Sequence, residues 1–256
     1  MKQLTFSTLW IIFAAALVFA QMPQTQLSEI TIRAEALNNQ GVEKSNAGKY
    51  SEAIELFRQS INLRPDYAIA YGNLGATLYL VGQLDEAVAV LKKAIELKSD
   101  FAEVYSKLGA VYTASGRLDE AITALKQAVK IQPNFAMAHY NLGCVYIRQE
   151  KFKEAVTSLK TAELLDPNYA ETYVQSGYAL SRLKKYDAAI KQLEQAVRLN
   201  PTDAEAQFFL GQLYLLNGDK QSALAQYKKI ALLNEDLATK LYRAIYGNMI
   251  IEASKK

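Results

Sequence analysis

The chain carries one histidine and one cysteine, His139 and Cys144. An imidazole beside a thiol could make a base–nucleophile pair. The two lie five residues apart within a helical pattern, a spacing that does not bring them well onto one face, and no third group stands ready to orient the imidazole. Structural zinc wants four such ligands, so zinc fingers, haem-attachment motifs, cysteine-held iron–sulfur clusters and intramolecular disulfides are excluded. The acid pairs Asp85-Glu86 and Asp119-Glu120 could suggest general acid–base work. They recur at matching places in successive segments, each in the first turn of a helix, where negative charge suits the dipole. Ten of the twelve glycines fall in two regularly spaced columns, which leaves no phosphate-cradling loop. No catalytic, cofactor-binding or metal-ligating residue is assigned.

The elements around these residues are set by composition and repetition. The chain has 256 residues, half of them apolar and about a fifth charged, which suits a soluble protein with a packed core. Twenty-nine Lys and Arg face 26 Asp and Glu, so no basic excess points to nucleic acid. Residues 1–20 open with Met1-Lys2, run apolar from Leu4 to Ala20, and end Val18-Phe19-Ala20 before Gln21. That is the layout of a cleaved secretory signal peptide. The alternative is an uncut membrane anchor, although its 17 residues fall short of the ~20 a span needs. Lipid attachment would need a Cys after the run, and the chain's Cys is at 144. Gln21 to Leu27 reads as a short polar linker, within a 21–33 stretch that leads into the first helix.

Pro65, Pro133, Pro167 and Pro201 are separated by 68, 34 and 34 residues. Blocks of 34 cut from Ala34 put each proline at block position 32. They run 34–67, 68–101, 102–135, 136–169, 170–203 and 204–237. Position 8 is Gly and position 20 is Ala in all six. Position 15 is Gly except for Glu150 and Lys184, and position 24 is always large, from Phe57 to Tyr227. Each block reads as two helices joined at position 15, where Gly takes a positive φ freely. Small residues at 8 and 20 let the helices approach, and the large residue at 24 is expected against the next block. Position 18 (Ser51, Asp85, Asp119, Asp187) is expected to cap the second helix. Position 33 (Asp66, Asp100, Asn134, Asn168, Thr202, Asp236) is expected to cap the following first helix. Residues 238–256 read as a capping helix and tail, with Ala238, Leu241 and Ile245 covering block six and Tyr242, Tyr246 and Ile250 left over.

An aromatic at 4, Leu-Gly at 7–8, Tyr at 11, Ala at 20 and 27 and Pro at 32 make a pattern that resembles the tetratricopeptide repeat (TPR) family. AEVYSKLGAVYTASGRLDEAITALKQAVKIQPNF, residues 102–135, meets nearly all of it. The resemblance covers 34–237 and implies an all-α, right-handed superhelical solenoid that binds protein or peptide in a concave groove. It also implies that first-helix positions 2, 5, 6, 9, 12 and 13 line that groove. Transferred here, they include Asn73, Tyr79, Met137, Tyr140, Asn141, Ile147, Arg148, Tyr178, Arg182, Phe208 and Gln212. Tyr140, Ile147, Tyr178 and Phe208 are expected to form one apolar strip. Some of these side chains could instead pack between neighbouring helices. The family's way of holding a C-terminal carboxylate is not met, since Glu103 and Glu171 stand where cations are needed.

The resulting expectation is an exported, monomeric, non-catalytic scaffold without a cofactor, in cell-envelope assembly or transport, in a bacterial periplasm or secreted. Two alternatives stay open: an assembly factor tethered by an uncut residue 4–20 helix, and a non-catalytic subunit of an enzyme complex such as a glycosyltransferase.

Overall fold

A computed structural model describes residues 24–253, where thirteen α-helices and no strand are found. The signal-peptide expectation lies outside the described residues. The chain divides into two compact units, residues 1–100 and 101–256. The first holds α1 (Gln24–Asn46), α2 (Tyr50–Leu63), α3 (Ala68–Leu80) and α4 (Leu84–Leu97). The second holds α5 (Ala102–Ala114), α6 (Leu118–Ile131), α7 (Ala136–Arg148), α8 (Phe152–Leu165), α9 (Ala170–Arg182), α10 (Tyr186–Leu199), α11 (Ala204–Leu216), α12 (Lys220–Ile230) and α13 (Glu235–Ala253). From α3 to α11 the first helices begin at an alanine every 34 residues. The second helices begin at position 17 of every block.

Each helix pair closes on small residues. The six alanines at position 20 are fully buried. In blocks one to five the large residue at 24 lies on the glycine of its own block: Phe57 on Gly41, Leu91 on Gly75, Leu125 on Gly109, Leu159 on Gly143, Leu193 on Gly177. The expected packing on the next block is present as well, since Leu159 shares a buried cluster with Ala179 and Leu193 shares one with Leu210 and Leu213. The joining residue has positive φ throughout, from 73° to 82° at the glycines and 58° at both Glu150 and Lys184.

The capping expectations are corrected. The second helices start at position 17, so position 18 already lies inside them. Their N-caps are Lys49, Gln83, Arg117, Lys151 and Lys185, with no side-chain cap bond, and Asp219, which accepts from Ser222 N at 2.9 Å. Asp119 and Asp187 instead accept from the next repeat, from Gln149 Nε2 at 2.8 Å and Asn217 Nδ2 at 2.9 Å. First helices are preceded by position 34, not 33. Tyr67, Phe101, Phe135 and Tyr169 offer no cap, while Asp203 accepts from Glu205 N and Ala206 N, both at 3.0 Å. Asp236 lies within α13, whose first turn is capped by Asn234 at 3.0 Å from Leu237 N.

Residues 24–27, expected in a linker, belong to α1. Leu27, Ile30, Ala34, Leu37 and Gly41 alternate spacings of three and four, so one helical face runs on upstream of the first block. At the other end α13 packs on α11 and α12 and buries Ala238, Leu241 and Ile245, as expected. Leu241 takes the place over Gly211 that position 24 fills elsewhere. Tyr227 instead packs at a tilt against Tyr242 (5.5 Å between ring centroids), which packs at a tilt against Tyr246 (4.7 Å). No described helix is long and apolar enough to cross a membrane.

Candidate partner-binding surface

Prolines at position 32 end the second helices, and the carbonyls they leave are bonded by position 4 of the next first helix. His139 Nε2 meets Pro133 O at 2.9 Å and Tyr173 OH donates to Pro167 O at 3.0 Å. Gln207 Nε2 donates to Pro201 O. His139 thus holds the turn that leads out of the preceding repeat. Cys144 is largely buried beside Tyr140. Burial pushes its thiol up to about 11, with the Tyr140 hydrogen bond pulling the other way. Among the described residues no cluster of His, Cys, Asp and Glu could hold a metal ion.

Positions 5 and 6 knit successive first helices together. In the first unit Asn73 Nδ2 donates to Asn38 Oδ1 at 3.0 Å, and in the second Asn141 Nδ2 donates to Ser106 Oγ at 3.2 Å. These amides, expected to meet a peptide backbone, are engaged within the protein. Arg148 Nη1 likewise donates to Thr113 O near the end of α5. The carbonyls at a helix C-terminus carry partial negative charge, so the guanidinium suits that place.

Tyr140 is half-buried, its ring edge-on to Tyr169 at 5.1 Å, and burial raises its phenol far above the ordinary value. Ile147 packs with it against Ala155, Leu159 and Ala179. Phe208 packs into the cluster of Ala238, Leu241 and Ile245 under α13, so it does not extend the expected strip. Its neighbour Phe209 does, lying 6.3 Å from Tyr178. Tyr178 also meets Phe152 edge-on at 6.4 Å. Arg182 lies 4.6 Å over the Phe152 ring, donates to Tyr178 OH at 2.8 Å and stands 3.7 Å from Glu150. Phe152, Phe209 and Glu150 were not legible as members of this group. Glu150 and Phe152 lie outside the first helices, and the choice between Phe208 and Phe209 depends on α13.

Several of the exposed first-helix residues are apolar. Met137 is 41% exposed and Leu216 63%, and in the first unit Tyr79 and Leu80 are exposed. Gln212 is exposed as well.

Family comparison agrees with this geometry. TPR repeat models match residues 46–82, 78–116 and 109–150, and tetratricopeptide-repeat models match 136–169 and 174–236. The chain belongs to the tetratricopeptide-repeat family, an all-α helical-repeat class whose members serve as scaffolds for protein or peptide partners. No curated protein matches it in sequence. Among solved structures, YrrB, a TPR protein with an unusual peptide-binding site, is 28% identical with a TM-score of 0.61 over 73% of this chain and 97% of its own. The pilF protein of Pseudomonas aeruginosa shares the fold at 18% identity and TM-score 0.74, over 86% and 99%. A chain of the APC/C hetero-tetramer Cut9–Hcn1 shares it at 22% and 0.72, over 86% of this chain but 45% of that one, so the present chain spans under half its length.

Proposed function

We propose that this chain is an exported scaffold that holds a peptide or protein segment on the first-helix face of its second unit, in bacterial cell-envelope assembly or transport. The observation that carries the reading is the exposure of apolar Met137 and Leu216 on first helices α7 and α11, with the Tyr178–Phe209 aromatic contact joining α9 to α11. Aromatic and aliphatic side chains left open on a rigid face give contact area at little entropic cost. YrrB supports it as a 28% identical relative with a peptide-binding site. Export rests on the signal-like residues 1–20, with cleavage after Ala20 and a monomeric mature chain.

The test is affinity capture from the native envelope with the full chain and with Met137→Glu/Leu216→Glu. Both side chains are exposed, so the variant keeps its helical circular dichroism. Its partner is lost. Capture at wild-type strength by that variant moves recognition off this face. Terminal sequencing of the captured protein reads Gln21 first if the signal is cut, and an intact Met1 supports the tethered alternative.

A further inference from the structure

In repeats four and five the edge that joins first to second helices is basic where helix physics favours acid. Lys151 and Lys185 are the N-caps of α8 and α10, and neither makes a side-chain cap bond. A cation there opposes the positive end of the helix dipole, and Asp219 at the same position of block six shows the favourable choice. Lys153 lies in the first turn of α8, and Lys184 holds a left-handed turn position that glycine fills in four other blocks. Arg148 and Arg182 end α7 and α9 on the same edge.

Over residues 148–154 and 182–188 six cations face Glu150, Glu154 and Asp187. The carboxylate of Asp187 is bonded to Asn217. The two segments touch, since Arg182 reaches back over Phe152 and towards Glu150. Arg182 covers that ring, which leaves it poorly placed to stack a base. A guanidinium carries five donors, and the contacts described occupy one or two of them at Arg148 and Arg182. These are donors suited to carboxylates.

We propose that this edge binds an acidic polypeptide segment, the flank of the partner held on the neighbouring first-helix face. The inference rests on that face being the recognition surface. Adjacent first helices pack ~8–10 Å apart. Carboxylates that meet successive repeats are therefore spaced about seven residues on a helix or about three in an extended chain.

The test uses the purified full chain and fluorescent peptides with glutamates at either spacing, their lysine counterparts, oligothymidine and phosphatidylglycerol vesicles. The variant is Lys151→Asp/Lys185→Asp, which installs the cap that Asp219 already provides and so does not weaken the fold. A glutamate peptide binds, less tightly as salt rises, and the variant loses about tenfold or more in affinity while its thermal midpoint holds or rises. Unchanged peptide affinity in the variant overturns the proposal, as does preference for lysine peptide, oligothymidine or vesicles. In envelope capture, loss with Met137→Glu/Leu216→Glu but not with the aspartate variant leaves the face reading standing and removes the edge. Retention with both removes both.

Discussion

Leu159 lies so flat against Gly143 that a methyl group on the glycine would stand 2.5 Å from Leu159 Cγ. No real side chain sits that close, so one of the two must move. Gly143→Ala gains about 1 kcal/mol of helix propensity and meets overpacking of about 1–3 kcal/mol. Urea unfolding should show a net loss. Leu159→Ala should cost roughly 2–5 kcal/mol, and the double variant less than the two added together, because the new methyl refills space the leucine left. Strict additivity would mean the contact is not what fixes the glycine.

Lys184 and Glu150 hold φ of 58°, a conformation the other four repeats give to glycine. Lys184→Gly should stabilise by roughly 0.5–1 kcal/mol, the left-handed strain relieved less the entropy glycine adds to the unfolded chain. Glu150→Gly should gain less, because it also removes the carboxylate 3.7 Å from Arg182. A lower thermal midpoint for Lys184→Gly would contradict the strain argument.

Cys144 should alkylate slowly at pH 7–8 in the native chain. With the thiol pushed up to about 11, the reactive thiolate is scarce until the pH nears that value. Tyr140→Phe removes a hydrogen bond that lowers the thiol, so labelling should slow further at fixed pH. Urea should restore the rate of an ordinary cysteine. The same burial predicts a monomer on non-reducing gels. Fast labelling of folded protein would place the thiol in solvent.

Burial also raises the Glu163 carboxyl, with the Ser176 hydroxyl, Gln192 and Lys160 pulling it back. Ser176 donates to Glu163 Oε1 across the contact of repeats four and five. A carboxyl with a raised native pKa binds its proton more tightly folded than unfolded. Its contribution therefore declines as pH rises through the ordinary value, 4.5, towards the native one. Glu163→Gln should be more stable than the parent at pH 7, with the advantage vanishing near pH 4. A constant difference across pH would refute the linkage.

The fold is legible because the repeat writes its packing rules six times and its proline stop four. Gly at 8, Ala at 20 and a stop at 32 leave one helical reading, and spacing alone finds Ala238, Leu241 and Ile245. Spacing misses the caps by one or two residues. A polar residue near a helix start is a cap only at one position, and the periodicity of apolar residues does not fix that position. It also misses that the residue at 24 lies on the glycine of its own block, because a column shows that a residue is buried, not all that it touches. At the surface, Asn73, Asn141 and Arg148 look free to meet a partner on sequence alone. Their bonds go to Asn38, Ser106 and Thr113, 35 residues upstream, and a period of 34 does not reveal hydrogen bonds between neighbours. Phe208 and Phe209 are adjacent and chemically alike, so sequence could not say which one α13 claims.

Leu241 over Gly211 means that the last pair of helices is closed from outside the block, by a side chain standing where the block's own residue 24 stands in the other five. A gene for such a chain can grow by duplication without inventing a new end. Any 34-residue segment added ahead of α11 leaves α11, α12 and α13 to close the stack with the same contacts, and the reach of the array becomes a matter of copy number.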